Sequence, residues 1–315
     1  MPGPKTHHIF YKQLKNKLST ETLSHFPNYD KYSIFAQGHD FLIYYNFYKI
    51  FSQKQLNENI NSSKLLQEFK FQEFIYNFLK TAQQNGTIEN EQIRLFIGPG
   101  YVMHHILDAY THPLIIYYAG DHVRDTNNKT WKHGIIENLI DLYLMDKVEH
   151  INHNKYPVHK DFKFDNKTIC EGLVKNLNES LNKTYNIANG GKMFYDSFSQ
   201  ISLFLKLFKY DNTGFKRILF DLVDPVLKGT SSFSYHRNIN DNMYFLNNMN
   251  KEWLNPVDNS IKSCDSFMDL YEKALNDGAI IIERLNNLCI SGNIHRDDVY
   301  SIIPNIASTH GLECN

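Results

Sequence analysis

The chain has 315 residues, 42% of them hydrophobic, which is enough to bury a sizeable core in one large domain or two small ones. Thirty-three Lys and Arg stand against 34 Asp and Glu, and the formal charge of −1 gives no sign of a general nucleic-acid binder. The four cysteines, Cys170, Cys264, Cys289 and Cys314, form no CxxC pair and are too scattered for a disulfide scaffold, which argues against a thiolate zinc knuckle.

In chain order, the start from Met1 to Thr6 has no apolar stretch behind a basic end, and no later run is long and apolar enough to span a bilayer. A cytoplasmic protein without a transmembrane segment is expected. Residues 10–18 place Phe10, Leu14 and Leu18 on one helical face, and residues 65–80 repeat the pattern with Leu65, Phe69, Phe74 and Phe78. Gly98-Pro99-Gly100 breaks the chain ahead of an apolar helix from Tyr101 to Tyr118, interrupted at Pro113. Residues 133–149 form an amphipathic helix. Further helices are expected at 169–182, 193–209, 214–223, 264–289 and 296–302, and no hairpin is expected. Segments 50–64, 120–132 and 150–167 read as loops. The last of them is either a long loop or a boundary between a metal-binding half and a helical half. The fold class expected is all-α, with residues 1–315 as a single helical domain, metal ligands within 1–141 and further helices in 168–315.

Two constellations carry chemistry. His104, Asp108 and His112 lie four apart ahead of Pro113, and His133, Glu137 and Asp141 repeat the spacing. Residues four apart share one helix face, so an imidazole and a carboxylate so placed can share one metal ion. Chance supplies about 1.6 His-x-x-x-acid pairs in a chain of this composition, so the spacing by itself is equally that of a surface ion pair. Context separates the two. Asp108 sits among Val102, Met103, Ile106 and Leu107, and a carboxylate in so apolar a run needs a partner or a metal. Pro113 is expected to end or bend the helix and turn His112 toward the other two. Two further patches are Thr6-His7-His8 and Gln37-Gly38-His39-Asp40-Phe41. Their ordinary alternatives are a solvated terminus for the histidines and a helix cap for Asp40.

Thr-His at 6–7, Gln-Gly-x-Asp-Phe at 37–41, Gly-Tyr-x-x-His-x-x-x-Asp-x-x-x-His-Pro at 100–113 and His-x-x-x-Glu at 133–137 occur in that order. This series resembles the zinc-dependent phospholipase C family, in particular its signal-less members, and the stretch from Leu246 through Trp253 to Tyr271 resembles the downstream half of those proteins. The resemblance implies an all-α, multi-helix bundle with a buried site for one to three zinc ions. It implies that His104 and Asp40 hold one zinc, that Asp108 bridges to a second held by His7, and that His112, His133 and Glu137 hold a third. Asp40 is then also the candidate catalytic base. Two departures stand out. The family places one more histidine between the positions of Asp40 and His104, whereas residues 41–103 contain none, with Lys70 standing near that place. Adjacent residues on an extended segment point apart, so His39 is not expected to substitute for it. Secreted members also use the amino group and carbonyl of their first residue as ligands. The function implied is hydrolysis of a phosphodiester, with phospholipid as the substrate class. The alternatives are a metal-binding structural or catalytically weak homologue, and a nuclease of the same fold acting on nucleic acid.

Overall fold

A computed structural model describes residues 3–49, 62–120, 130–209, 213–223, 234–235 and 243–314. The chain is mostly helical. Six helices position the site: α1 (Pro4–Lys15), α2 (Phe71–Gln84), α3 (Met103–Ala119), α4 (Thr130–Lys147), α5 (Glu171–Tyr185) and α6 (Gly190–Phe208). A seventh, α7 (Phe267–Ser291), closes over α3 and begins with a capping box in which Ser266 and Asp269 exchange hydrogen bonds. Among the described residues, strand is confined to Trp253–Leu254 paired antiparallel with Lys262–Ser263, a small ladder that the sequence did not signal. No helix among them is long and apolar enough to cross a membrane.

At the centre lies α3, buried along nearly its whole length and packed by α1, α4 and α7. A helix that is apolar all round belongs in a core, and Val102, Met103, Ile106 and Leu107 each contribute about 1.5–3 kcal/mol of burial there. Pro113 neither ends α3 nor stops it, as helical geometry continues to Ala119. The proline removes one backbone donor, which deep packing on every side tolerates. A wide π-type turn, Phe96–Val102, feeds α3 and contains the expected Gly-Pro-Gly break. Residues 62–64, read as loop, are helical and run into the expected helix at 65–68, while 50–61 and 121–129 lie outside the described residues. The stretch Tyr29–Asp40 is a tight 3-10 run that packs against the π-type turn and α1.

One polar contact fixes the start of α1. Asp141 of α4, fully buried, accepts hydrogen bonds from the backbone N–H of Thr6 at 2.8 Å and Lys5 at 3.3 Å, from Thr6 Oγ1 at 2.7 Å and from the Tyr235 hydroxyl at 2.8 Å. A carboxylate facing the free donors of a helix N-terminus stabilises it both by hydrogen bonding and by the helix dipole. Asp141 therefore caps α1, and does not continue the His133–Glu137 pair as its spacing suggests. Gly3 is required at this junction, because a Cβ there would stand 2.3 Å from Asp141 Oδ2.

Candidate metal centre

Five polar side chains lie buried on α3: His104, His105, Asp108, Thr111 and His112. Buried polar groups need partners, and four of these find a backbone carbonyl. His104 Nδ1 donates to Ala36 at 2.8 Å, His105 Nε2 to Ile306 at 2.7 Å, Thr111 Oγ1 to Leu107 at 2.8 Å and His112 Nδ1 to Ser308 at 3.0 Å. Asp108 is the exception, with neither carboxylate oxygen in a hydrogen bond. The two carbonyls on Nδ1 fix a tautomer in which Nε2 of His104 and of His112 carries the lone pair, the arrangement of a metal-bound imidazole with an outer partner. His105 is arranged otherwise: its ring stacks on Phe71 at 3.5 Å and its Nε2 is spent on a carbonyl, so it is a packing residue.

Around Asp108 gather groups from three segments. His7 Nε2 of α1 lies 3.2 Å from Oδ1, and His104 Nε2 lies 3.3 Å from Oδ2. Each oxygen thus faces a different imidazole, and the two rings stack with centroids 3.7 Å apart. Asp40 Oδ2 stands 3.8 Å from His104 Nε2. Asp40 begins the short helical turn Phe41–Tyr44, but its carboxylate makes no cap hydrogen bond and points instead to the cluster. His39 enters beside it, Nδ1 3.4 Å from Asp40 Oδ1 and Nε2 3.8 Å from Asp108 Oδ2.

Gly38 makes this convergence possible. Its φ of +48° breaks the helical run just before His39 and Asp40, so two adjacent residues enter the same site instead of pointing apart. A Cβ on Gly38 would sit 2.5 Å from His104 Cγ, so the glycine also admits the imidazole. Gln37 ties the segment to α1, its Nε2 donating to the Pro4 carbonyl at 3.1 Å.

A second group is formed by α3 and α4. His112 Nε2 and His133 Nε2 are 2.8 Å apart, and His133 Nε2 is 2.7 Å from Glu137 Oε1. His133 and Glu137 are partly exposed, whereas the Asp108 cluster is deeply buried.

Three sets of ligand atoms therefore converge closely enough to hold a metal ion: His7, His104 and Asp108; His39, Asp40 and His104; and His112, His133 and Glu137. In the deep cluster both nitrogens of His7 and of His39, Nε2 of His104, Oδ1 of Asp40 and both oxygens of Asp108 lack a hydrogen bond. Each such atom costs about 1–3 kcal/mol when left unsatisfied in a core, so a bound cation fits where neutral packing does not. Separations decide the same way. Ligand atoms on a tetrahedral zinc stand about 3.3–3.4 Å apart, from bond lengths of about 2.0–2.1 Å. The 3.2, 3.3 and 3.4 Å contacts of the deep cluster match that edge. The 2.7 and 2.8 Å contacts of the outer group are hydrogen-bond distances and must open by about 0.6 Å to accept an ion.

Protonation in the deep cluster is divided: His7 and His39 are held neutral, and His104 is drawn toward its charged form, from which a bound cation would displace the Nε2 proton. Burial, with His104 nearby, holds the His7 imidazole below its ordinary value and His39 well below it, so both are neutral ligands. Burial would raise Asp108, but the His104 and His7 imidazoles hold it well below the carboxylate range. Burial pushes Asp40 up to about 6 against the pull of His104, with the Asp108 charge adding to the rise. Burial opposes a charge on His104, yet the Asp108 and Asp40 carboxylates hold it above the ordinary imidazole value. In the outer group burial would raise Glu137, and the charge and hydrogen bond of His133 help bring it down to about 2.

All seven residues expected as metal ligands thus fall into these groups: His7, Asp40, His104 and Asp108 in the deep one, His112, His133 and Glu137 in the outer one. His39 is the residue missed by spacing arguments, and the positive φ at Gly38 is what turns it into the cluster. Lys70 is not in the site. It is exposed, begins α2 with a φ of +55°, and its Nζ reaches the Thr184 carbonyl at 3.5 Å. The role of the first residue as a ligand falls outside the described residues. No protein-family model, curated protein or solved structure matches this chain.

Proposed function

We propose that the protein is a zinc-dependent phosphodiester hydrolase of the phospholipase C type, with a phospholipid as the substrate class. The observation that carries this reading is Asp108, a buried carboxylate with no hydrogen bond and a different imidazole on each oxygen, His7 on one and His104 on the other. A carboxylate so flanked suits a bridge between two cations, and paired metal ions clamp the attacking and leaving oxygens of an in-line phosphoryl displacement. Zinc supplies the Lewis acidity that polarises a phosphoryl oxygen and brings bound water to a pKa of about 7.

The chain's own residues do the rest. His104 is oriented by the Ala36 carbonyl and His112 by the Ser308 carbonyl, so each ring is held through Nδ1 with Nε2 turned toward its group. Asp40, whose carboxylate turns into the cluster beside His104, is the group placed to take a proton from an attacking water. In the outer group His133 and Glu137 are partly exposed, so a phosphodiester would meet this group before the buried cluster.

The test is metal analysis of the purified chain followed by assay on a panel of phosphatidylcholine, a chromogenic phosphodiester and single-stranded DNA. More than one zinc per chain and turnover of the lipid diester support the reading. Zinc without turnover of any diester identifies a silent metal-binding homologue, and preferential cleavage of the DNA identifies a nuclease.

A further inference from the structure

We propose that His39 is a metal ligand, completing with Asp40, His104 and the bridging Asp108 the first ligand shell of the deeper cation. This inference rests on the metal-centred reading above and adds a residue to it. The residue next to Asp40 brings a second imidazole to the group formed by Asp40 and His104.

Burial comes first. His39 is fully buried, and neither ring nitrogen makes a hydrogen bond. An imidazole kept in a core for packing finds a partner, as His105 does on the Ile306 carbonyl. His39 instead stands between two carboxylates, with Nδ1 facing Asp40 Oδ1 and Nε2 facing Asp108 Oδ2.

The neighbouring rings add to this. His39 and His104 meet edge to face at 4.4 Å with an interplanar angle of 83°, so the two rings are neighbours in the cluster. His39, Asp40 and His104 bring one ligand atom each to within 4.8 Å of one another. Asp108 Oδ2 lies 3.3 Å from His104 Nε2, so a fourth donor is already in place. Three protein ligands and a carboxylate bridge make a tetrahedral set with two imidazoles and two oxygens, which suits zinc. The deeper position is then a complete four-ligand set.

The experiment is a zinc and cobalt titration of the metal-free chain, following stoichiometry by elemental analysis and the cobalt ligand-field spectrum. The variants are His39→Ala, the near-isosteric His39→Asn, and His105→Phe as a buried-histidine control. Both His39 variants are expected to lose one equivalent, or to bind it at least about 100-fold more weakly, with the matching loss of one cobalt spectral component. The His105→Phe protein should keep every equivalent. Wild-type protein labelled with 15N gives a reading that needs no variant: zinc should move one ring nitrogen of His39 into the metal-bound range together with Nε2 of His104. If wild type binds several ions while the His39 variants bind them equally well and the His39 nitrogens do not shift, the role of His39 is overturned and the metal centre stands. If wild type binds no zinc at all, both fall.

Discussion

Replacing Asp141 by Ala tests how the first helix is held over the metal centre. The carboxylate receives two backbone N–H groups of α1, the Thr6 hydroxyl and the Tyr235 hydroxyl, and lies 3.6 Å from the buried ammonium of Lys209. Hydrogen bonds to a charged group are worth about 1.5–3 kcal/mol each, but they share one acceptor and do not add. Removing one partner of a buried ion pair costs about 3–5 kcal/mol, because the other charge stays buried. The expected loss is therefore about 3–5 kcal/mol for Asp141→Ala. Asp141→Asn keeps the shape and some of the acceptor capacity, and should cost about half as much. Urea unfolding of the metal-free protein followed by circular dichroism gives the number, provided the slope is unchanged. Zinc affinity gives a second reading, since His7 is carried by the same turn of α1 one residue past Thr6. A change below about 1 kcal/mol in Asp141→Ala would refute the argument. It would mean that water or a side-chain shift satisfies the donors of α1, and that Asp141 is not its cap.

Asp108→Asn should lower zinc content by at least one equivalent and reduce the melting temperature of the loaded protein, because metal binding is coupled to folding. Unchanged zinc content and melting temperature would make Asp108 an ordinary helix residue. Gly38→Ala places a Cβ against His104 at a positive φ and should cost about 2–4 kcal/mol, read by urea unfolding, with zinc affinity falling as well. Chelation should lower the thermal midpoint, and added zinc should restore it in a concentration-dependent way. For pH, burial holds the His8 and His105 imidazoles at about 3, below the ordinary 6.5. The unfolded chain takes up these protons first as pH falls. Each residue therefore contributes stability that is complete above about pH 6.5 and is lost on acidification toward about pH 3, at about 1.4 kcal/mol per pH unit. His105→Phe should flatten that slope in the metal-free protein, measured by unfolding between those limits.

The helices and the ligand types were legible because both rest on short-range spacing. His104, Asp108 and His112 are one turn apart, and an apolar run around a carboxylate signals burial whatever the fold. His39 was not legible, since an alternating extended segment would point it away from Asp40, and only the positive φ at Gly38 turns both inward. Asp141 continues the spacing of His133 and Glu137, yet its true partners lie 135 residues earlier, a distance that periodicity does not report. Pro113 was read as an end or a bend of the helix on local grounds, and the end does not occur, because contacts on all sides of α3 outweigh one missing hydrogen bond. Lys70 was assigned by elimination to the place of a missing ligand, and elimination carries no geometry.

The carbonyls that orient the α3 histidines have a kinetic consequence. Ser308 and Ile306 reach back 196 and 201 residues to His112 and His105, while His7 and Thr6 arrive from the other side of the sequence. Pairings of such separation pay their loop-closure entropy before any contact rewards it, so they form late in folding. Until residues 306–308 dock, the His112 imidazole is free to choose either tautomer, and a cation arriving early meets an unordered donor set. Refolding should therefore show metal capture trailing the appearance of helix, with a lag that lengthens when the 306–308 segment is made more flexible. On the metal-centred reading, a cation would reward the completed fold and would not template it.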